Sequence, residues 1–131
     1  MLRALIGEDY EEFRRLLRVM LQEKTQCSVI SEVSDGLQAV QQAQELQPDV
    51  ILLDLSLPKL DGMAVARRIC TLCPNSKILF VSQNSDPEII RAALQLGVHG
   101  YLLKSDAKEL PVAIDAVLQG TVFVSSRLKR S

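Results

Sequence analysis

At 131 residues, with 47% hydrophobic and 24% charged side chains, the chain is long enough for one domain with a substantial core and too apolar to stay disordered. A formal charge of -1 excludes a general basic field for nucleic acid, and no apolar stretch reaches the length of a membrane span. Three cysteines without framework spacing, and an N-terminus that turns acidic at Glu8-Asp9, argue for a reduced, cytoplasmic setting.

Leu2 to Ile6 reads as a short strand leading into Glu8 and Asp9. From Tyr10 the period lengthens, and Phe13, Leu16, Leu17, Met20 and Leu21 mark one face of an amphipathic helix. Asp9, with Glu12 three residues on, resembles a capping box. Ser28 to Val33 alternates as a second strand. Asp35-Gly36 opens a second helix, with Ala39, Val40, Ala43 and Leu46 inward and Pro48 at its end. Val50-Ile51-Leu52-Leu53 is a continuous apolar run, the mark of a strand buried on both faces, and it delivers Asp54 at its end. Gly62 starts a third helix, with Val65, Ala66, Ile69 and Cys73 inward and Pro74 closing it. Lys77 to Val81 forms a fourth strand ending on Ser82. Asp86-Pro87 caps and opens a fourth helix carrying Ile89, Ile90, Ala93 and Leu94, which Gly97 ends.

Val98 to Leu103 is a fifth strand ending on Lys104. Asp106 caps a fifth helix with Leu110, Ala113, Ile114 and Val117 inward, stopping at Gly120; Pro111 forces it to start late or bend. Five strands alternating with five helices predict an α/β domain over residues 1–120, with a parallel sheet, helices on both faces and right-handed crossovers. Residues 121–131 carry Arg127, Lys129 and Arg130 without a helical face and read as a tail or the start of a linker.

In a parallel sheet the strands end on one edge, so Glu8, Asp9, Asp54, Ser82 and Lys104 converge there. Each alone has a plain reading: Asp54 and Lys104 as strand ends, Ser82 as a turn residue. Together they suggest chemistry. Carboxylates crowded into one cleft raise one another's pKa unless a cation sits among them, and an all-oxygen set suits a hard divalent ion such as Mg²⁺. A carboxylate in such a site can be the nucleophile that forms an aspartyl-phosphate, with a hydroxyl and an ammonium on the phosphoryl oxygens. On this reading Asp54 attacks, and Ser82 and Lys104 hold the transferred group. Cys70 and Cys73 form a C-x-x-C without a second pair, and their helical spacing favours packing over a zinc site. His99, the only histidine, reads as exposed or structural.

Glu8-Asp9, the Asp-Leu-Ser-Leu-Pro-Lys-Leu-Asp-Gly segment from Asp54 to Gly62, Ser82, and Gly-Tyr-Leu-Leu-Lys ending at Lys104 together resemble the receiver domain of bacterial response regulators. The likeness covers residues 2 to 120 in order and spacing. Ser105, where other receivers have proline, makes it most similar to the NarL/LuxR-type subfamily, whose members usually continue into a DNA-binding helix-turn-helix domain. The resemblance implies a flavodoxin-like fold of five parallel strands in the order 2-1-3-4-5. It also implies two-component signal transduction, with phosphorylation of Asp54 by a sensor histidine kinase that requires Mg²⁺. By position, Asp9 and Asp54 would bind the metal directly, Ser56 through its backbone carbonyl and Glu8 through water.

Ser82 and Tyr101 fall at the family's switch positions, where the hydroxyl moves onto the phosphoryl group and the ring turns inward. This would remodel the face of the fourth helix, its neighbouring strand and the fifth helix, a face through which a homodimer is a family possibility. DNA would be met only through an output domain beyond this sequence, which reads as a receiver-only regulator or the receiver half of a longer transcription regulator. Glu8 stands where the family often has Asp, and Gln83 where many receivers carry a small residue. Ser56 and Asn84 occupy positions that tune dephosphorylation.

The competing classes differ at single residues. A phosphatase of the haloacid-dehalogenase kind needs a second Asp two positions after the nucleophile, and Ser56 stands there, so turnover as an enzyme is not expected. A pseudo-receiver that is never phosphorylated is opposed by the intact acid set and Lys104. A flavin or nucleotide carrier lacks the Gly-rich loop after the first strand.

Overall fold

Successive residues of the run Val50 to Leu53 enter two different cores: Ile51 and Leu53 on one side of the sheet, Val50 and Leu52 on the other, all without solvent exposure. The two-residue period of a strand forces this alternation, and only a strand covered on both faces can be apolar throughout. The computed structural model describes residues 1–130. Its strands are β1 (Leu2–Gly7), β2 (Cys27–Val33), β3 (Val50–Leu53), β4 (Lys77–Ser82), β5 (Gly100–Leu103) and β6 (Phe123–Val124). Its α-helices are α1 (Glu11–Lys24), α2 (Gly36–Leu46), α3 (Gly62–Leu72), α4 (Pro87–Gln95) and α5 (Leu110–Leu118).

All pairings are parallel, in the order β2-β1-β3-β4-β5-β6. This is the flavodoxin-like arrangement expected, with a sixth strand added at the β5 edge. Ala39 and Ala43 of α2, Val65, Ala66 and Ile69 of α3, and Ile90 and Ala93 of α4 fill one core. Leu17 and Leu21 of α1, with Leu110, Ala113, Ile114 and Val117 of α5, fill the other.

Several local expectations change. Asp9 does not cap α1: Tyr10 holds the N-cap position without a side-chain hydrogen bond, and its N–H donates to Glu8 Oε2 at 3.0 Å. Leu16 faces solvent at 43% exposure, because the core-facing stripe of α1 narrows to Leu17 and Leu21. Asp106 does not cap the fifth helix either. The chain makes a turn of 3₁₀ helix over Lys104–Glu109, and α5 begins only at Leu110, with Pro111 in its first turn, where its missing N–H costs nothing. The late start expected from Pro111 is the one observed.

Within the stretch read as a tail or the start of a linker, residues 123–128 contact the domain. Phe123–Val124 pairs with β5, and Leu128 packs against the core that α2, α3 and α4 cover. Arg127 reaches Asp106 at 3.4 Å; the side chains of Lys129 and Arg130, and all of Ser131, lie outside the described residues. No helix among the described residues is long and apolar enough to cross a membrane.

His99 is a structural residue. Its Nδ1 accepts the Ile78 N–H at 3.0 Å while its own N–H donates to Ile78 O at 2.8 Å. Burial and the nearby Lys77 charge hold the imidazole below its ordinary 6.5. A base with a lowered folded pKa binds its proton more tightly in the unfolded chain, so its contribution is complete above pH 6.5 and is lost as pH falls towards the folded pKa. His99→Asn keeps an acceptor without the titration. Urea unfolding at stepped pH is expected to show a flatter acid limb in the variant, and an unchanged limb would refute the assignment.

Candidate functional site

Register brings the acids together. Gly7 of β1 lies beside Leu53 of β3, so the residues that follow, Glu8 and Asp54, leave the sheet side by side. The Asp54 N–H donates to Gly7 O at 2.9 Å, which fixes the backbone at this exit. On the other flank, Phe80 of β4 pairs with both Leu53 and Tyr101, and Ser82 pairs with Leu103, the residue before Lys104. The result is a cleft of about 920 Å³ at the C-terminal edge, lined among others by Glu8, Asp9, Asp54, Ser56, Ser82 and Lys104.

Lys104 organises its charges. Its Nζ lies 2.8 Å from Glu8 Oε1 and 3.2 Å from Asp54 Oδ2, and the ammonium sits 4.7 Å from the centre of the Phe13 ring. Burial alone would lower this amine's pKa, but contact with Glu8 and Asp54 outweighs it and raises the group above 10.5. Glu8 is 1% exposed, and burial pushes its carboxyl above 4.5 despite the lysine and the Tyr10 N–H. One ammonium thus serves two carboxylates. The other oxygen of Asp54, Oδ1, accepts the Ser56 N–H at 3.3 Å.

Oxygens of Glu8, Asp9 and Asp54 lie within 4.8 Å of one another. Buried Glu8 Oε1 meets the Lys104 ammonium at 2.8 Å, while Oε2 accepts the Tyr10 N–H. Three convergent carboxylates, an all-oxygen donor set, fit a hard divalent cation.

Ser82 is buried, and its Oγ accepts the Asn84 N–H at 3.0 Å. Tyr101 lies behind the cleft. Its ring is fully buried 6.2 Å from that of Phe80, and its hydroxyl donates to Asn84 O at 2.7 Å. Asn84 therefore joins Ser82 to Tyr101 through one peptide segment. Gln83 is exposed on the cleft wall.

Phe13, read from its spacing as core, forms the floor under Lys104. Arg14 fixes the β1 exit by donating to Glu8 O at 3.0 Å. Neither role has a signature, because each depends on how α1 settles beside the strand ends. Cys70 and Cys73 do not share a site: Cys70 Sγ faces Leu96 O and Cys73 Sγ faces the Gln47 amide. Burial raises both thiols above 9.0, as suits packing residues.

A parallel α/β sheet presenting acids, a hydroxyl and a lysine at one edge defines a class, and comparison defines the family. Residues 4–115 match the response regulator receiver domain family, and the chain belongs to it. It is 35% identical over 129 residues to the transcriptional regulatory protein LiaR of Bacillus subtilis, covering 98% of this chain and 61% of that protein. It is 31% identical to the oxygen regulatory protein NreC of Staphylococcus epidermidis, covering 99% and 61%. The chain thus spans about three-fifths of the length of these relatives.

Among solved structures it resembles a LuxR-family two-component response regulator from Aurantimonas, with TM-score 0.93, 27% identity and coverage of 99% and 94%. It also resembles the receiver domain of a NarL response regulator from Mycobacterium tuberculosis, with TM-score 0.86, 31% identity and coverage of 91% and 97%. These relatives are of the NarL/LuxR type, which bears out the subfamily reading.

Proposed function

We propose that this receiver accepts a phosphoryl group on Asp54 from a phosphohistidine of a sensor kinase and thereby switches the surface around α4, β5 and α5. The observation that carries the proposal is the placement of Lys104 between Glu8 and Asp54 at 2.8 and 3.2 Å, which holds the acceptor carboxylate and offers a donor to the incoming phosphoryl oxygens. A carboxylate oxygen of Asp54 attacks phosphorus, the donor's P–N bond breaks, and the imidazole leaves with a proton from solvent. Glu8, Asp9 and Asp54, with Ser56 through its backbone carbonyl, would hold Mg²⁺, which when bound neutralises charge on the transferring group.

The Ser82 hydroxyl, whose oxygen accepts the Asn84 N–H and which lies in hydrogen-bond contact with Tyr101, would swing onto a phosphoryl oxygen. That movement would pull on Asn84 O, the acceptor of the Tyr101 hydroxyl, and so reach β5. The ring already lies inward, so switching acts through this hydrogen-bond chain and the packing of α4. Phosphorylation then biases an existing equilibrium of surfaces. The chain acts as a phosphoacceptor, with enzymatic turnover no part of the role. Output through a DNA-binding domain and pairing of two copies are properties we propose for the full-length regulator, by analogy with its relatives.

Intact mass after incubation with acetyl phosphate, with and without Mg²⁺, tests the proposal. The expected result is a metal-dependent gain of one phosphoryl group that Asp54→Asn abolishes. Undiminished labelling of the variant would overturn the assignment. Failure to label even with a competent kinase would favour a receiver-like interaction module, and Gln83→Ala would then test whether the cleft wall is the obstacle.

A further inference from the structure

We infer that Ser125 is a positioning residue for the Lys104 ammonium, acting from the far side of β5; the inference rests on the phosphoacceptor reading above. Ser125 has no solvent exposure and lies just past β6. Its backbone N–H donates to Tyr101 O at 3.0 Å, and its Oγ accepts the Leu103 N–H at 2.7 Å. It therefore brackets the stretch of β5 that carries the inward aromatic and ends at the site lysine.

The reason a hydroxyl is required follows from the ladder. β6 pairs with β5 at Gly100–Phe123 and Tyr101–Val124, and the next rung of a parallel pair would send the Leu103 N–H to the Ser125 carbonyl. Instead that carbonyl accepts the Leu128 N–H at 2.9 Å as the chain turns into the 3₁₀ helix Ser126–Arg130, and the Leu103 N–H is met by the hydroxyl. The turn is held in place by Glu109, which accepts from the Ser126 N–H at 3.0 Å and its hydroxyl at 2.7 Å. Without the Ser125 hydroxyl, the Leu103 N–H would be buried and unpaired at the last residue before Lys104.

Leu103 sits between two serines: Ser82 is its register partner on β4 and Ser125 its hydrogen-bond partner on the β6 side. A shift of this peptide swings the base of the Lys104 side chain, whose ammonium must stay on Asp54 Oδ2 and Glu8 Oε1. The same short segment places Leu128 on the core that α2, α3 and α4 cover. Residues 123–128 thus connect the phosphorylation site to the chain downstream through one buried hydroxyl.

The test is a cycle of Ser125→Ala, Lys104→Met and the double variant, with Ser125→Thr as the hydroxyl-retaining control. Initial rates of labelling by acetyl phosphate and unfolding in urea are both measured. Ser125→Ala is expected to slow labelling on the order of tenfold, as a misplaced reacting group does, and Ser125→Thr to recover most of the rate. With Lys104→Met present, Ser125→Ala should add little to the slowing of labelling, because both changes act on one element, and should cost less in unfolding than it does alone, the unpaired Leu103 N–H being the part that remains. Wild-type labelling by Ser125→Ala, or equal effects of it with and without Lys104, would overturn the inference. If the wild type itself never labels, the phosphoacceptor reading fails, and the unfolding cycle alone decides: coupling of the two residues upholds positioning and additivity refutes it. Should Ser125→Ala not fold, Ser125→Cys takes its place, with nearly the same volume and only a weak acceptor.

Discussion

Gly62→Ala is expected to lose about 3 kcal/mol of stability, the upper range of core overpacking, and to label at least tenfold more slowly than wild type. A Cβ on Gly62 would collide with Asp54 O and lie 2.6 Å from Leu55 Cα. These are backbone atoms of Asp54 and its neighbour, so no side chain can swing aside. The Gly62 N–H also donates to Leu55 O at 2.8 Å, which locks the start of α3 against the exit of β3. Relief therefore moves either the helix or Asp54, the proposed acceptor. Out of a total of ~5–15 kcal/mol the loss is large, and thermal unfolding should report it directly.

A companion variant separates position from stability. Gly36→Ala places its Cβ against the Leu60 carbonyl, an even closer backbone contact, but the strain there falls on the Pro58–Leu60 loop and the start of α2. It should destabilise at least as much while slowing labelling less than Gly62→Ala. Wild-type stability in Gly62→Ala would show that the β3 exit gives way easily, and the account of Asp54's fixed position would fail.

What could be read from residues alone follows from how local each signal is. The apolar run Val50 to Leu53 and the switch to a helical period after Gly62 are local patterns, and the strand ends then follow from one rule about parallel sheets. Glu8, Asp54, Ser82 and Lys104 were placed at one edge in this way, and the structure sets Lys104 within ion-pair distance of both acids. β6 is two residues long, too short for any period, and it exists because the edge of β5 accepts it. Asp9 had the composition of a cap, but Glu8 took the Tyr10 N–H, leaving Asp9 facing the cleft. Asp106 lost its capping role because Pro111 delays α5, and Asp106 pairs with Arg127 from the far end of the chain instead. Ser125 is beyond sequence reasoning, since a buried serine differs from an exposed one only in what its hydroxyl meets.

Lys104→Met, measured in the presence of a chelator, is expected to lose about 2–3 kcal/mol near neutral pH. This falls below the ~3–5 typical of an uncompensated buried charge, because the cleft is open to water and Glu8 can take up a proton. Methionine preserves the contact with Phe13, so the loss reports the charge. Two changes in pH dependence follow, with opposite locations. In the wild type Lys104 titrates above 10.5; a base with a raised folded pKa contributes fully below its unfolded value and loses that contribution as pH rises through the folded one. The variant should lack this part of the alkaline limb.

Glu8, whose carboxyl burial already raises above 4.5, goes further up once the ammonium is gone. For an acid with a raised folded pKa the folded state holds the proton more tightly, so stability falls as pH rises from 4.5 through the folded value. Lys104→Met should therefore be closest to wild type in mild acid and furthest from it at neutral pH. Adding Mg²⁺ should recover part of the deficit by binding the folded form alone, while labelling of Asp54 stays slow, because a metal replaces the lysine's charge but not its donor on the phosphoryl oxygen. Equal stability of the two proteins from pH 5 to 11, or full recovery of labelling by Mg²⁺, would remove Lys104 from the centre of the site.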